Sequence, residues 1–413
     1  MKRVLLTKSL LVWVSAAAAW GACQQSNLTQ GNRSDGAQYM IWMPETSCWN
    51  GDMVIFAHGY VAPGQPIAVP LDQLVIDGVS LPATFNELGY GFAASSYSKN
   101  GLAIVQGFDD TEDLAQNVLK DLKIYPHRTY LIGASEGGLV TVLSAEQLPH
   151  VYNGAGAACG PIGSFQDQIN YFGDFRVIFD YFFPGVLPGT PIDIPPNLIT
   201  DWTSNNSQSI QMVTAALAAH PSAAAQLISV MKAAVTSDPA TVAETVIDAL
   251  WYNVVATNDA QATLGPVKPV QPYDNHNRIY TGSANDFLLN LKVERFTADP
   301  AALAAVAASY ETSGKLSMNL VTLHTTLDPV VPYWQEPLYT AKTLLVGTAF
   351  ERVNLPVTAY GHCAFTAFDL LGAFALIVLR DTGRDLSPDL RTALRGSDAA
   401  FTAAARRMGL PPQ

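Results

Sequence analysis

The most constraining feature of this sequence is a short turn between a buried strand and a helix. The apolar run Thr129-Tyr130-Leu131-Ile132 is typical of a strand that is buried on both faces of a parallel sheet. The pentapeptide Gly133-Ala134-Ser135-Glu136-Gly137 follows at once, and helical periodicity then continues to Gln147. A G-x-S-x-G pentapeptide is common by chance. Its position between a strand and a helix, however, indicates a sharp turn that exposes Ser135 as a nucleophile.

The same alternation of strands and helices extends to both sides of this turn. We predict strands at residues 38–44, 53–57, 91–95, 129–132, 154–158, 316–323 and 350–359, and helices at 109–123, 136–147 and 365–380. Such alternation predicts an α/β fold with a doubly wound, mostly parallel sheet. The polar stretch that ends at Asp35 indicates a mobile leading segment, and residues 38–44 look like an edge strand.

The alternation stops near Cys159 and resumes near Met318. In between, aromatic side chains are dense over residues 170–184, and alanine-rich helical patterns follow. Two helix starts are predicted at Asp238-Pro239 and Asp299-Pro300, with ends at Gly265 and Gly314. We therefore predict that residues 161–315 form a mainly helical cap, inserted into an α/β core made of residues 23–160 and 316–413.

Composition excludes several classes of function. Hydrophobic residues make up 49% of the 413 positions and charged residues 14%, so the chain can bury a large core. The formal net charge of -12, together with the lack of any basic run, argues against a nucleic-acid partner. No cysteine or histidine spacing resembles a zinc site, so we predict neither a metal nor a cofactor.

Residues 1–22 have the pattern of an export signal. Positive charges precede a short apolar run from Leu10 to Ala19, and small residues follow. The run is too short to cross a bilayer comfortably and no longer apolar stretch follows, so we expect a secreted or periplasmic protein without a transmembrane segment. Gly21-Ala22-Cys23 resembles the end of a lipoprotein box, which leaves a lipid anchor at Cys23 as an alternative.

Four cysteines are available for pairing in an exported chain. They are Cys23, Cys48, Cys159 and Cys363. Oxidising compartments favour disulfides, so we expect at least some of the four to be paired. Three connectivities are open, and their spacing does not choose among them.

A loop near the start of the predicted core offers a backbone donor to the reaction centre. His58-Gly59-Tyr60 directly follows the buried strand at 53–57. A loop in this position supplies one N–H group to the oxyanion that forms when a serine attacks a carbonyl, and the residue after the serine supplies the second. We predict that the N–H groups of Tyr60 and Glu136 have this role, and that His58 braces the loop.

Two later loops carry an acid and a base. Asp328 follows a buried strand on a loop that prolines make rigid, where a carboxylate can hold an imidazole in one tautomer. Of the seven histidines, His362 alone lies on a loop after a late strand and downstream of both Ser135 and Asp328. This chain order predicts Ser135 as the nucleophile, His362 as the base and Asp328 as the acid that orients it. His324, close to the strand, is interpreted as a hydrogen-bonded core histidine.

With these motifs the sequence resembles the α/β-hydrolase superfamily over roughly residues 37–160 and 316–382. One detail is similar to the tannase and feruloyl esterase group, in which a cysteine beside the serine is bonded to a cysteine just after the histidine. Cys363 occupies the second of these positions, but Ala134 occupies the first. In the framework that the resemblance implies, Cys159 would lie near enough to bond Cys363, which would leave Cys48 for Cys23 unless Cys23 is lipidated.

The function implied is that of an exported serine carboxylesterase. Its substrate would be a small-molecule or polymeric ester. Apolar, aromatic and polymeric esters are the expected kinds. A prolyl-type serine peptidase shares the fold and the triad, and it would hold a substrate amine through acidic cap residues such as Glu244, Asp248, Asp286 and Glu294. A catalytically inactive binding module with the same fold is the second alternative.

Overall fold

The computed structural model describes residues 25–393 and 406–408. The predicted signal peptide and Cys23 lie outside these residues. The strands are β1 (Gln25–Asn32), β2 (Gln38–Pro44), β3 (Asp52–Ala57), β4 (Val75–Ile76), β5 (Val79–Ser80), β6 (Gly91–Ser95), β7 (Arg128–Ala134), β8 (Gly154–Ala158), β9 (Leu320–Leu327) and β10 (Arg352–Tyr360). The helices are α1 (Leu81–Glu87), α2 (Ile104–Asp113), α3 (Leu119–Asp121), α4 (Glu136–Gln147), α5 (Phe165–Phe182), α6 (Pro196–Trp202), α7 (Gln208–Ala219), α8 (Pro221–Met231), α9 (Ala240–Leu264), α10 (Asp286–Lys292), α11 (Pro300–Ser309), α12 (Gln335–Val346), α13 (Ala367–Thr382) and α14 (Ser387–Ala393).

A single large sheet carries most of the strands, in the order β1-β2-β6-β3-β7-β8-β9-β10. The strands from β6 to β10 in this order run parallel, whereas β1 and β2 pair antiparallel at one end. Successive residues of β3 alternate between two cores, because side chains of a strand point to opposite faces. Met53 and Ile55 pack on the side of α2 and α4, and Val54 and Phe56 pack on the side of α1 and α13. The predicted doubly wound, mostly parallel sheet is confirmed.

The prediction of a mobile leading segment up to Asp35 was wrong. Residues 25–32 form β1, which pairs with β2 from Leu28 opposite Trp42 to Asn32 opposite Gln38. β2 is therefore covered on both sides and is not an edge strand. The side chains of residues 27–32 are exposed or half-buried, so β1 lacks the apolar alternation by which a strand is recognised.

Two other boundaries differ from the prediction. α2 begins at Ile104 rather than at residue 109, and the side chain of Asp110, inside the helix, accepts hydrogen bonds from the Ser98 N–H and hydroxyl. β9 runs from Leu320 to Leu327, four residues later than predicted. The shift places Asp328 directly at the end of the strand.

Residues 161–315, here called the helical insertion, contain α5 to α11 between β8 and β9. The aromatic side chains of α5 largely form the core of this segment, since Phe175 and Phe179 are fully buried there. α9 ends at Leu264 before Gly265 as predicted, whereas α11 ends at Ser309, five residues before Gly314. Among the described residues no single helix is long and apolar enough to cross a membrane. α7 and α8 reach that length only as a pair bent by 103°.

Candidate active site

The strand order, the parallel pairing and the helices on both faces are those of the α/β-hydrolase fold. In such sheets ligands and catalytic groups collect at the carboxyl ends of the strands. Ser135 directly follows β7 and Asp328 directly follows β9, while His362 and Tyr60 come two and three residues after β10 and β3. The predicted site residues therefore meet at one edge of the sheet.

Ser135 lies on a sharp, strained turn. Its backbone has φ 56° and ψ -120°, a conformation that residues other than glycine rarely adopt. A Cβ atom added to Gly137 would lie 2.0 Å from the Ala57 carbonyl oxygen, and one added to Gly133 would lie 2.3 Å from the Gly137 oxygen. The two glycines of the pentapeptide are thus required by close backbone contacts on either side of the serine.

A chain of hydrogen bonds links the three residues that the sequence singled out. His362 Nε2 lies 2.8 Å from Ser135 Oγ, and His362 Nδ1 lies 2.8 Å from Asp328 Oδ2. The other carboxylate oxygen of Asp328 accepts the N–H groups of Val330 and Val331, each at 2.9 Å. Because a carboxylate can only accept, Nδ1 carries the proton and Nε2 is free to accept the serine hydroxyl proton. The arrangement can deprotonate Ser135.

The backbone around Ser135 offers donors for an oxyanion. Glu136 is the first residue of α4, so its N–H has no acceptor within the helix. The chain at Gly59 passes close to the nucleophile, since a Cβ atom there would lie 3.2 Å from the Cβ of Ser135. The Gly59 N–H is already bound to Oε1 of Gln73 at 2.7 Å, a contact that the sequence did not reveal. The bond holds the loop that contains Tyr60, whose N–H group is the other predicted donor.

His58 supports this loop from inside the core. Its ring is buried and stacks on Tyr97 with the ring centroids 3.7 Å apart. The Nδ1–H of His58 donates to the Gly59 carbonyl oxygen at 2.7 Å, and the Tyr97 hydroxyl donates to the His58 carbonyl oxygen. Burial lowers the pKa of His58, so the ring is neutral at physiological pH. These contacts agree with a bracing role.

A second buried polar cluster lies behind Asp328. His324 Nε2–H donates to the Val331 carbonyl oxygen at 2.8 Å, and Nδ1 lies 3.1 Å from Oε1 of Glu336. Burial alone would lower the pKa of His324, but the hydrogen bond to Glu336 and its charge outweigh burial and raise it. Arg352 forms an ion pair with the other oxygen of Glu336. His324 is thus a hydrogen-bonded core histidine, 3.7 Å from Asp328. The residues Glu336 and Arg352 carried no sequence signal.

A disulfide fixes the loop of the predicted base. Cys159, directly after β8, is bonded to Cys363, the residue that follows His362, with a Cα–Cα distance of 5.4 Å. Cys48 also takes part in a disulfide, and Cys23 lies beyond the part of the chain that the structure describes. The bond ties the end of β8 to the loop after β10, which limits how far the imidazole can move from Ser135.

Replacement of both Cys159 and Cys363 by serine is expected to lower the free energy of unfolding by about 3–5 kcal/mol, because the bond closes a long loop. The two residues are 204 positions apart. We also expect kcat to fall in the double variant, because the loop of His362 is no longer held by the disulfide. Urea denaturation of the oxidised wild type and of the double variant measures the first effect. Equal midpoints and slopes would contradict it.

Glu136 is a buried acid next to the nucleophile. Its side chain accepts the Ala103 N–H at 2.8 Å, but burial dominates and raises the pKa to about 8 from the ordinary value of 4.5. The folded protein therefore keeps a proton that the unfolded chain releases between these two values. Stability falls as pH rises through this window, by at most about 1.4 kcal/mol per pH unit.

The variant Glu136→Gln should remove this pH dependence while it keeps an oxygen for the Ala103 N–H. We expect the variant to gain unfolding free energy relative to the wild type as pH rises from 5 to 8, with no further change below about 4.5. Urea titrations at each pH measure the difference. Glu45→Gln, at an exposed turn, is the matched control and should show no such trend. Parallel curves for Glu136→Gln and wild type would refute the argument.

Two cavities meet at Ser135. The inner cavity, of about 270 Å³, lies between the sheet and helices α1 and α13, and its lining includes Phe85, Val321, Phe374 and Ile377 as well as Ser135 and His362. The outer cavity, of about 120 Å³, lies between Ser135 and the helical insertion, and its lining includes Leu102, Ile104, Phe172, Ala256 and Ala260. Both cavities are lined mainly by apolar side chains.

No protein-family model matches the chain, and no curated protein matches it. Among solved structures it is similar to Candida antarctica lipase A in its closed state, with 16% identity, a TM-score of 0.46 and coverage of 91% of this chain and 87% of that one. It is also similar to feruloyl esterase B from Aspergillus oryzae, with 13% identity, a TM-score of 0.43 and coverage of 87% of this chain and 81% of that one. A third similar structure is Pyrococcus horikoshii acylaminoacyl peptidase, with 10% identity and a TM-score of 0.40. The match covers 82% of this chain but only 38% of that one. Similarities at this level transfer no activity.

Proposed function

We propose that this chain is a serine hydrolase that cleaves carboxylic esters, with Ser135 as the nucleophile, His362 as the base and Asp328 as the acid that orients it. The observation that carries the proposal is the hydrogen-bonded chain from Asp328 through His362 to Ser135, with 2.8 Å at each link. Ser135 lies on the strained turn directly before α4, and a turn of this kind exposes a serine hydroxyl for attack.

The proposed reaction has two halves. His362 Nε2 takes the proton of Ser135 while Oγ attacks the ester carbonyl, and Asp328 stabilises the imidazolium that forms. The N–H groups of Tyr60 and Glu136 stabilise the negative oxygen of the tetrahedral intermediate. The alcohol leaves with the proton from His362. Water then attacks the acyl-enzyme with His362 again as the base, which frees the acid and restores Ser135.

The two cavities favour an ester with apolar groups over a peptide with a free amine. A peptidase that recognises an amine needs a carboxylate at the site, since a buried ammonium group is costly without a partner. None of the four acidic candidates of the helical insertion lines either cavity. The carboxylate of Asp286 instead binds the N–H groups of Gly282 and Ser283. The one acidic residue among the described lining residues is Glu136 in the outer cavity, and burial raises the pKa of its carboxyl group to about 8, which favours the uncharged form. Apolar or aromatic ester groups fit the linings without such a cost.

Export belongs to the proposal as well. The Cys159–Cys363 disulfide suits an oxidising compartment, such as the periplasm or the outside of the cell. Expression with the native leader, followed by fractionation and N-terminal sequencing, tests it. Recovery of the uncleaved chain in the cytoplasm would overturn this part alone.

A covalent probe together with a substrate panel tests the activity. We expect a fluorophosphonate to label the wild-type protein and peptide mapping to locate the adduct on Ser135. We expect p-nitrophenyl esters to be hydrolysed and proline p-nitroanilides to remain intact. Absence of an adduct would favour the inactive binding module, and faster cleavage of the anilides would favour a prolyl-type peptidase.

A further inference from the structure

We propose that the inner cavity binds the acyl chain of the ester, and that the preferred substrates carry a linear, saturated acyl group of medium length. The inference rests on the proposed function, because it takes Ser135 as the point at which the acyl group is attached. It goes further by assigning a substrate class and by separating the acyl site from the alcohol site.

The lining of the inner cavity accepts only an uncharged chain. No aspartate, glutamate, lysine or arginine among the described residues contributes to it. Its polar side chains belong to the end nearest the nucleophile, where Gln73 is bound to the Gly59 N–H. A charged or hydroxylated group further inside would lose its water without gaining a partner, whereas each buried methylene is favourable.

Small residues of β8 set how closely α13 packs at the inner cavity. Gly156 lines the cavity, and a Cβ atom there would lie only 2.8 Å from Cδ1 of Ile377 on α13. A Cβ atom at Gly154 would lie 2.6 Å from Cγ2 of the same isoleucine. Ile377 therefore rests on the bare backbone of β8. Phe85 and Phe374, whose ring centroids are 4.8 Å apart, form a rigid part of the wall.

The inner cavity extends into the core on the α1 and α13 side of the sheet, and we use this to assign the part of the ester that it holds. Its deep residues Phe85, Val321, Phe374 and Ile377 are each at most 2% exposed. The alcohol must leave and water must enter halfway through the reaction, whereas the acyl group stays bonded to Ser135 in both halves. A cavity that reaches into the core suits the group that stays. The outer cavity, between Ser135 and the helical insertion, is then left for the group that leaves.

The volume sets the length of the chain. The inner cavity holds about 270 Å³. This is far more than the roughly 10–15 Å³ that one buried water requires, so an acyl chain of several carbons fits. An acyl group of about eight carbons should fill the cavity, and longer chains should have to emerge or distort the wall.

The acyl-length profile of the wild type is the first test. On p-nitrophenyl esters we expect kcat/KM to rise about threefold to fourfold per methylene up to about eight carbons and then to fall. In a second series, acetyl esters of alcohols of increasing length, we expect a weaker dependence on length. A flat acyl series, or a sharp optimum in the alcohol series alone, would overturn the assignment.

Ala373→Leu is the variant that fills the cavity. Ala373 lies on α13 and lines the inner cavity, so the larger side chain occupies space near Phe374. We expect the ratio of octanoyl to acetyl ester activity to fall at least tenfold. Ala375→Leu adds the same volume to α13 outside the lining and should leave the ratio within twofold. Ile377→Ala deepens the cavity and should move the optimum to longer chains.

The outcomes separate this inference from the proposed function. Suppose that Ser135 is labelled and esters are hydrolysed, but Ala373→Leu and Ala375→Leu both keep the wild-type ratio of octanoyl to acetyl ester activity. The assignment of the acyl site is then wrong, while the proposed function stands. If no ester is hydrolysed and no adduct forms, the proposed function itself fails. Unfolding curves of each variant identify any loss of activity that comes from misfolding. If Ala373→Leu does not fold, the change in preferred acyl length of Ile377→Ala tests the acyl site instead.

Discussion

Replacement of Ser135 by alanine is expected to lower kcat/KM on a p-nitrophenyl ester by about 10⁴- to 10⁶-fold. The alanine removes the oxygen that His362 Nε2 contacts at 2.8 Å and with it the acyl-enzyme route. The Tyr60 and Glu136 N–H groups would remain, so some activity above the uncatalysed rate is expected to persist. Initial rates at high enzyme concentration, with active-site titration of the wild type, measure the difference.

Ser144→Ala is the matched control for this variant. Ser144 lies on α4, the helix that directly follows Ser135; it is fully buried, and its hydroxyl donates to the Val140 carbonyl oxygen within the helix. Its loss should cost stability but leave kcat/KM within a few-fold. Loss of the nucleophile of a Ser-His-Asp triad lowers activity far more than about 100-fold. If Ser135→Ala keeps more than about 1% of wild-type activity, another residue is therefore the nucleophile.

Local sequence patterns predicted much of the fold and the candidate triad. The strand that runs into Gly133-Ala134-Ser135 has an apolar pattern of its own, and the order of Asp328 and His362 after it is readable from the chain. β1 was missed because an exposed edge strand carries no apolar alternation. Its hydrogen bonds come from β2, and a pattern search within one segment does not see them.

The supporting contacts could not be predicted, because each joins two separate structural elements whose packing is not encoded in either one alone. Gln73 reaches the Gly59 N–H from the turn before β4, and Arg352 reaches Glu336 from the start of β10. Neither residue belongs to a motif. The inner cavity is hidden for the same reason, since its shape depends on how α13 rests on the glycines of β8. The sequence indicated the candidate reacting groups, while the packing between separate elements determines the shape of the cavities beside them.

Replacement of Asp328 by asparagine is expected to lower kcat by about 10⁴-fold, through the tautomer of His362 rather than through the fold. The place of Oδ1 is defined by two donors, the N–H groups of Val330 and Val331 at 2.9 Å. The asparagine oxygen must occupy this place, so its NH₂ group faces Nδ1 of His362. Nδ1 then has to accept, the proton moves to Nε2, and Nε2 can no longer take the proton of Ser135.

The control for Asp328→Asn is a second carboxylate that influences the same imidazole. Asp248 is an exposed residue of α9 whose charge acts on His362, but no hydrogen bond joins the two side chains within residues 25–393. Asp248→Asn should change kcat less than threefold. Labelling by a fluorophosphonate should be slowed in Asp328→Asn and unaffected in Asp248→Asn, with both variants folded by circular dichroism. Reversed effects would mean that Asp248, and not Asp328, orients the base.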